Sequence, residues 1–426
     1  MALIVQKYGG TSVANLERIK EVARRAAKTF DRGNDIVVVL SAMAGETDRF
    51  IELANRISHS VNKRELDVLL ATGEQSTVAL LAMTLESIGY PSASLLGHQV
   101  KIHTDSFFGS ARIADIDSDN IKKLLGQKKI VIIAGFQGCD QHQNITTLGR
   151  GGSDTSAVAV AAAIKADKCE IYTDVEGVFT ADPNICSKAR KLKEISYEEM
   201  LEMASIGAKV LQTRSVEFAK KYNVALHVRS SFNDKEGTVV LEENLITEKM
   251  VVAGITSSKN EALITFKKVP DTPGIAAKIF KPIAEANIIV DMIVQNSLKD
   301  QQTDISFTVP ISDFKKAFEL SEKVVKKIAS QEVVGDKNIA RVSVTGVGMK
   351  SHSGIASTMF SALAQENINI IIVSTSEIRI SCLIEAKYAE LAVRTLHTAF
   401  NLDNDKSNVS LYYGGKKTAP KITAKS

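Results

Sequence analysis

Thr147-Leu-Gly-Arg-Gly-Gly-Ser-Asp154, followed by an alanine- and valine-rich run over residues 155–166, is the stretch on which the fold turns. It reads as a strand end, a turn holding three glycines, then a helix. Gly149, Gly151 and Gly152 carry no Cβ, so backbone N–H groups can converge on one point there. Ser153 and Asp154 suit a helix N-terminus, where side-chain oxygens satisfy orphan amides and the dipole draws anions. Arg150 adds a planar, permanently charged fork suited to a carboxylate or phosphate. Two readings stand side by side: an anion cradle, or a glycine-rich turn that merely opens a buried helix. The spacing matches neither Gly-x4-Gly-Lys-Ser/Thr nor Gly-x-Gly-x-x-Gly, so neither nucleotide fingerprint applies.

Upstream, Leu3-Ile-Val5 opens an apolar strand that runs into Lys7-Tyr-Gly-Gly-Thr-Ser12. Ile19, Val22, Ala23 and Ala26 then recur at helical spacing. Strand, double glycine and helix make a second candidate cradle, with Lys7 as a point charge for a phosphate; a surface lysine before a turn is the plainer reading. Asp35–Leu40 is a second buried strand, ending in Ser41-Ala-Met-Ala-Gly-Glu-Thr47. Such a run followed by a small polar loop fits a parallel strand whose carboxyl end faces a site. Glu74, after Thr72-Gly73, is either an exposed first-turn acid or a ligand for an ammonium group. Residues 93–96 and 129–136 are further strands, and polar residues 137–145 read as an exposed hairpin. The strand over 168–174 ends in Thr173 and Asp174, with Gly177 and Phe179 beyond. Strands alternating with helices indicate an α/β layer covered on both faces. The polar residues 233–244 mark the expected boundary.

Beyond residue 250 the pattern changes. Asp271-Thr-Pro-Gly-Ile-Ala-Ala-Lys-Ile-Phe280 is echoed by Ser351-His-Ser-Gly-Ile-Ala-Ser-Thr-Met-Phe360, an offset of 80. The echo continues through Ala284/Ala364, Asn287/Asn367 and Ile288/Ile368. An internal duplication follows, predicting two βαββαβ modules of ferredoxin-like type. Each is too small to bury much core alone, so the modules are expected to pair within or between chains.

Composition narrows the function classes. Basic and acidic residues number 53 and 49, net +4. With no Lys/Arg run interleaved with aromatics, this argues against nucleic acid. The apolar runs over 130–136 and 157–164 are far short of a membrane span. Residues 1–5 lead straight into a charged motif, so no signal peptide is expected. Cys139, Cys169, Cys186 and Cys382 are scattered without Cys-x-x-Cys and read as reduced thiols of a cytoplasmic protein. The histidines show no metal-ligand spacing.

Taken in order, Lys7-Tyr-Gly-Gly-Thr-Ser, Ser41-Ala-Met, Thr72-Gly-Glu74, the 149–154 turn, Thr173-Asp-Val-Glu-Gly-Val and Ser374-Thr-Ser-Glu-Ile-Arg-Ile-Ser381 resemble the pattern of aspartate kinases. The resemblance is to the monofunctional type with two C-terminal ACT domains, and it covers essentially the whole chain. It implies an amino-acid-kinase fold over residues 1–245, a three-layer α/β/α sandwich, followed by ACT modules at 262–338 and 339–414. The implied reaction moves the γ-phosphoryl group of ATP, carried with Mg2+, to the side-chain carboxylate of L-aspartate. The product, 4-phospho-L-aspartate, opens the route to lysine, threonine and methionine. A carboxylate is already a nucleophile at neutral pH, so positioning and electrostatics carry the catalysis.

The resemblance also implies roles. Lys7, with Tyr8, Gly9 and Gly10, is expected at the ATP phosphates. Arg150 is expected on the aspartate α-carboxylate and Glu74 on its ammonium, with Ser41, Thr47, Gly151 and Ser153 completing the shell. Asp154 is expected beside the reacting groups; Thr173, Asp174 and Phe179 are expected at the nucleotide. The family usually carries Tyr where Phe179 stands and Arg where Asn184 stands, which puts nucleotide affinity in question; Lys209 is the candidate to compensate. Lysine and/or threonine are the implied effectors, at Asp271, Gly274, Asn287 and Asp291 of one module and Asn367, Asn369, Ser374 and Glu377 opposite. Asp271 reads equally as a simple helix cap. A homo-oligomer through the ACT modules is expected, and Met250 is a candidate internal start for a separate regulatory chain. Two rivals remain: a kinase of the same fold acting on glutamate, acetylglutamate or carbamate, and a catalytically silent amino-acid sensor.

Overall fold

The computed structural model describes residues 1–58, 60–207, 210–246, 251–297, 301–328 and 330–404. Lys209 and Met250 lie outside them. The chain divides into two compact units, Met1–Phe179 with Lys191–Thr247, and Thr180–Arg190 with Glu248–Ser426.

The first unit runs β1 (Leu3–Tyr8), α1 (Leu16–Asp31), β2 (Asp35–Leu40), α2 (Glu46–Ile57), α3 (Lys63–Ser87), β3 (Ser92–Leu95), β4 (Ile102–Thr104), β5 (Ile113–Ile116), α4 (Asp119–Gly126), β6 (Ile130–Ala134), β7 (Gln137–Cys139), β8 (Ile145–Thr147) and α5 (Gly152–Ile164). It continues with β9 (Lys168–Thr173), β10 (Glu194–Ser196), α6 (Tyr197–Ile206), α7 (Thr213–Tyr222), β11 (Leu226–Ser230) and β12 (Thr238–Leu241). Eight strands form one sheet in the order β10-β12-β11-β9-β1-β2-β6-β3. Neighbouring strands are parallel apart from β11 and β12.

Side chains alternate across a strand, so each strand serves both faces. Tyr8, Ile36, Val38 and Ile132 meet Ile19, Val22, Val78 and Leu81 of α1 and α3 on one face. Helix α5 covers the other, which is where Lys7 points. Burying such aliphatic side chains contributes about 1.5–3 kcal/mol each. By length and composition α3 would suit a membrane span. Here it is a core helix, packed on α1, β3 and β6 and carrying the buried acids Asp67 and Glu74.

Two sequence expectations are corrected. Residues 137–145 do form a hairpin, β7 with β8, but β7 is buried and joins a small sheet, β5-β4-β7-β8. Its polar Gln137 donates Nε2–H to Ala71 O at 3.1 Å, which is how an amide tolerates burial. The stretch 233–244 is no boundary either, because β12 within it is hydrogen-bonded into the main sheet.

The second unit runs β13 (Gly254–Ser258), β14 (Glu261–Pro270), α8 (Ile275–Glu285), β15 (Ile293–Ser297), β16 (Gln302–Pro310), α9 (Phe314–Ile328), β17 (Glu332–Asp336), β18 (Ile339–Thr345), α10 (Ile355–Gln365), β19 (Ile372–Thr375), β20 (Arg379–Glu385) and α11 (Ala389–Ala399). It holds two antiparallel sheets, β15-β16-β14-β17 and β13-β18-β20-β19. In the second, β13 takes the place that β17 holds in the first. A strand that precedes the first module therefore completes the second, satisfying the edge of β18. The residues kept by the duplication are backbone specialists: Gly274 and Gly354 open α8 and α10 at φ 87° and 94°, and Asn287 and Asn367 follow those helices at φ 56° and 55°. Glycine and asparagine are the residues that enter this left-handed region most easily.

The modules meet within the chain. Glu261 and Arg341, at equivalent places in the two repeats, form an ion pair, and Asp291 pairs with the same guanidinium. Arg341 is 1% exposed. Leu263, Met292, Ile339 and Leu383 bury a small apolar cluster. Thr180–Arg190 also belongs to this unit. Ala181 and Cys186 enter the core with Val252, Ile255 and Leu396. Thr180 O accepts from Ile255 N at 2.7 Å, and its hydroxyl hydrogen-bonds His397 Nε2 at 2.9 Å.

Replacing Arg341 by Met strands Glu261 without its partner. Asp291 is half exposed and Glu261 slightly so, which lowers the expected loss to roughly 2–3 kcal/mol of unfolding free energy. The double variant Arg341→Met/Glu261→Met should recover most of it in denaturant titrations.

Candidate active site

The carboxyl ends of β1, β2 and β9 and the start of α5 gather the charged groups. Lys7 and Asp154 form an ion pair, and both are less than a tenth exposed. The pair exists because the pleat aims Lys7 at α5, whose first turn carries Asp154 after a left-handed Gly151 (φ 72°). A Cβ on Gly151 would lie 1.8 Å from Gln212 Cγ. The helix N-terminus favours the acid there. The same pleat corrects one expectation: Tyr8 cannot face the site alongside Lys7. Its ring is buried, stacked on Tyr172 at 4.7 Å, with its hydroxyl donating to Gln6 Oε1 at 3.0 Å. The Gly9 amide is likewise engaged, donating to Tyr172 O at 3.2 Å as the sheet ladder ends.

Glu74 is 3% exposed in α3. Gly73 allows this approach, since a Cβ there would lie 2.7 Å from Ala42 Cβ. Glu74 Oε1 accepts from Ala42 N at 2.9 Å. Its Oε2 is buried with no hydrogen-bond partner among the described residues. Burial pushes this carboxyl up to about 8, against the opposing pull of the Ala42 amide and the Lys7 charge. The exposed-acid reading of Glu74 therefore fails. Ser12, just past the double glycine, is a residue that sequence reading missed. It is fully buried and its hydroxyl has no partner among the described residues. Its place two residues after Gly10 was the available signal.

The remaining expected residues fall as follows. Arg150 is exposed, whereas Ser153 is buried and packs against Gly135. Ser41 continues the β1–β2 ladder, donating N–H to Tyr8 O at 3.1 Å, and Thr47 is partly exposed in α2. Thr173 donates its hydroxyl proton to Asp174 Oδ1 at 3.1 Å where β9 ends, and Phe179 is partly exposed. Asn184 lies in the segment that folds with the second unit; both its amide nitrogens donate to Asp182 Oδ1, at 2.8 and 3.0 Å.

The expected effector residues are divided between the two modules. Asp271, Gly274 and Asn287 are exposed on the first, Asn367, Asn369 and Glu377 on the second, where Ser374 is partly exposed. Asp291 is already committed to Arg341, and Glu377 pairs with Lys350 at 3.3 Å. Asn287 and Asn367 have a backbone reason for their repetition that needs no ligand.

Among the described residues no group of three or more His, Cys, Asp or Glu side chains is placed to hold a metal. The arrangement is one of fixed charge, with one buried ammonium, one buried acid paired to it, and a second buried acid with an oxygen to spare.

Residues 2–230 match the amino acid kinase family, and residues 267–323 and 342–400 match the ACT domain. An aspartate kinase of Stutzerimonas stutzeri is 54% identical over 411 residues, covering 96% of this chain and 100% of that protein. The crystal structure of aspartate kinase from Synechocystis is 41% identical with a TM-score of 0.53, covering 94% of this chain and 69% of that one. Aspartokinase III of E. coli, in complex with lysine and aspartate, is 25% identical with a TM-score of 0.73, covering 94% and 99%. With its α/β catalytic unit and its pair of ACT modules, this chain belongs to the aspartate kinase family.

Proposed function

We propose that the first unit moves the γ-phosphoryl group of Mg·ATP to the side-chain carboxylate of L-aspartate. The bond from γ-phosphorus to the bridging oxygen breaks, a carboxylate oxygen bonds phosphorus, and ADP and 4-phospho-L-aspartate result. This is the first committed chemistry toward lysine, threonine and methionine in a cytoplasmic enzyme. The observation that carries the reading is the buried Lys7–Asp154 pair at the head of α5, with Glu74 buried nearby in charge terms but holding a free oxygen.

Lys7 leaves Asp154 to share its charge with the transferring phosphoryl group, where charge develops in the transition state. Ser12 offers a hydroxyl donor in the same turn. Thr173, Asp174 and Phe179 take the nucleotide at the end of β9. Arg150 clamps the aspartate α-carboxylate with Gly151 and Ser153, and Glu74 takes the ammonium, with Ser41 and Thr47 beside it. Mg2+ comes with the ATP phosphates, held mainly through their oxygens and water, as suits this small hard ion.

Glu74 sets a proton condition. Its folded pKa, about 8, lies above its ordinary carboxyl value of 4.5. Between those values the unfolded chain has released this proton and the folded chain keeps it, so its contribution destabilises the fold as pH rises through that window. An incoming ammonium reverses the balance by favouring the ionised carboxylate.

The ACT modules take lysine and/or threonine, and copies of the chain associate through them. Supporting this is the chain's path: it leaves the first unit at Phe179, just past the nucleotide candidates, and Thr180 is buried in the second. An effector that prefers one arrangement of the modules therefore has a covalent route to the nucleotide loop. Because Thr180–Arg190 folds with the modules, cutting the chain near residue 250 would strip the cover from Ala181 and Cys186. Titration of intact protein is the better test.

In a coupled assay for ADP formation, L-aspartate should drive turnover, and Lys7→Ala should lower kcat by about a hundred- to a thousandfold. Near-normal turnover of that variant would reject the role of Lys7; no turnover by the parent would favour the silent sensor. In the same assay lysine and threonine, added singly and jointly, should inhibit; indifference to all three additions would overturn the effector assignment.

A further inference from the structure

Asp67 lies seven residues before Glu74 on α3, two turns back and on the same face. It is fully buried, yet none of the roles above uses it. Its Oδ2 accepts from Thr147 N at 2.8 Å and from Gly109 N at 3.0 Å, and its Oδ1 accepts from the Thr147 hydroxyl at 2.8 Å. Thr147 is the last residue of β8 before the turn that carries Arg150. Its carbonyl is taken too, accepting from Ala111 N at 2.8 Å. Gly149 packs on the same loop, where a Cβ would sit 3.2 Å from Gly109 O. Arg214 of α7 donates to Leu148 O at 2.9 Å and to Ala111 O at 2.8 Å. Asp67 thus ties the Thr147 N–H at the root of this turn to the Gly109 N–H of the neighbouring loop, and Arg214 ties the Leu148 carbonyl to that loop's Ala111 carbonyl.

We propose that Asp67 is a positioning residue for aspartate, fixing the Thr147–Arg150 turn at a set distance from Glu74. This deepens, and rests on, the reading in which Arg150 takes the α-carboxylate and Glu74 the α-ammonium. Those two substrate groups sit on one carbon, so their receptors must be held at one spacing. Helix α3 provides it: Glu74 fastens the helix to the Ala42 loop, and Asp67 fastens the same helix to the Arg150 turn. Arg150 itself is exposed, so its aim depends on the backbone beneath it.

The bonding pattern predicts which substitution is tolerated. In Asp67→Asn the amide oxygen can accept both backbone N–H groups while the amide nitrogen donates to the Thr147 hydroxyl, so all three links survive without the charge. In Asp67→Ala the buried Thr147 N–H and the more exposed Gly109 N–H lose their acceptor. The test is steady-state kinetics on full-length Asp67→Ala, Asp67→Asn and Arg150→Ala, with thermal unfolding to establish that each folds. Asp67→Ala should raise the aspartate KM about ten- to a hundredfold while the ATP KM stays within about threefold, and Asp67→Asn should stay within about threefold on both.

An unchanged aspartate KM in folded Asp67→Ala, with Arg150→Ala raised, overturns this proposal alone. Parallel loss in both KM values and kcat also overturns it, as general damage. An unchanged KM in Arg150→Ala overturns the underlying site reading instead. Should Asp67→Ala fail to fold, Thr147→Val carries the test, because it removes only the hydroxyl link. That variant should raise the aspartate KM by about threefold or more, and no change overturns the proposal.

Discussion

Burying two acids and one lysine, Asp154, Glu74 and Lys7, is the constraint from which the rest of this structure follows. Ionised groups are expensive to bury without partners. Lys7 can neutralise Asp154, and it does so at the helix N-terminus that suits an acid. Glu74 is then left to find its own balance, and in the free protein it does so by holding a proton. In the proposed reaction the substrate's ammonium supplies the missing cation, and the ATP phosphates supply the anion that competes for Lys7. On that proposal the ligands complete the charge balance of the site.

The scaffold's task is to hold these groups in place. It does this with elements rather than loops. Lys7 is on the central strand β1, Asp154 on the first turn of α5, and Glu74 on the long core helix α3. Where loops are used, they are pinned: the Ala42 loop by Glu74, and the root of the Arg150 turn by Asp67 and Arg214. Arg150 is an exposed side chain on that fixed base, where the proposed function has it meet an incoming carboxylate.

Much of this was legible in the chain. Three glycines followed by Ser153, Asp154 and an alanine-rich helix announced the turn, and strand–Lys7–double glycine announced the facing strand. The repeat at an offset of 80 announced the modules. What the sequence hid was mostly a matter of which side a residue faces. Lys7 and Tyr8 are neighbours, yet the pleat sends one to the pocket and the other into the stack with Tyr172. Gln137 looks like a surface residue until a main-chain oxygen of α3 receives its amide. Asp67 looks like a solvated helix acid until its seven-residue spacing from Glu74 is noticed. Long-range pairing was hidden as well: nothing local in residues 254–258 says that they complete the sheet of the later module. Asn287 and Asn367 show the converse, a repeated polar residue whose first duty is a left-handed backbone turn.

The central claim is that Glu74 stays protonated in the free enzyme and ionises when aspartate's ammonium arrives. Calorimetric titration of aspartate at pH 7, repeated in buffers of different ionisation enthalpy, counts the protons released on binding. With burial pushing the carboxyl up to about 8, the account predicts release of most of one proton, falling toward zero at a pH well above 8 and absent in Glu74→Gln. Aspartate binding at pH 7 with no proton released would contradict it.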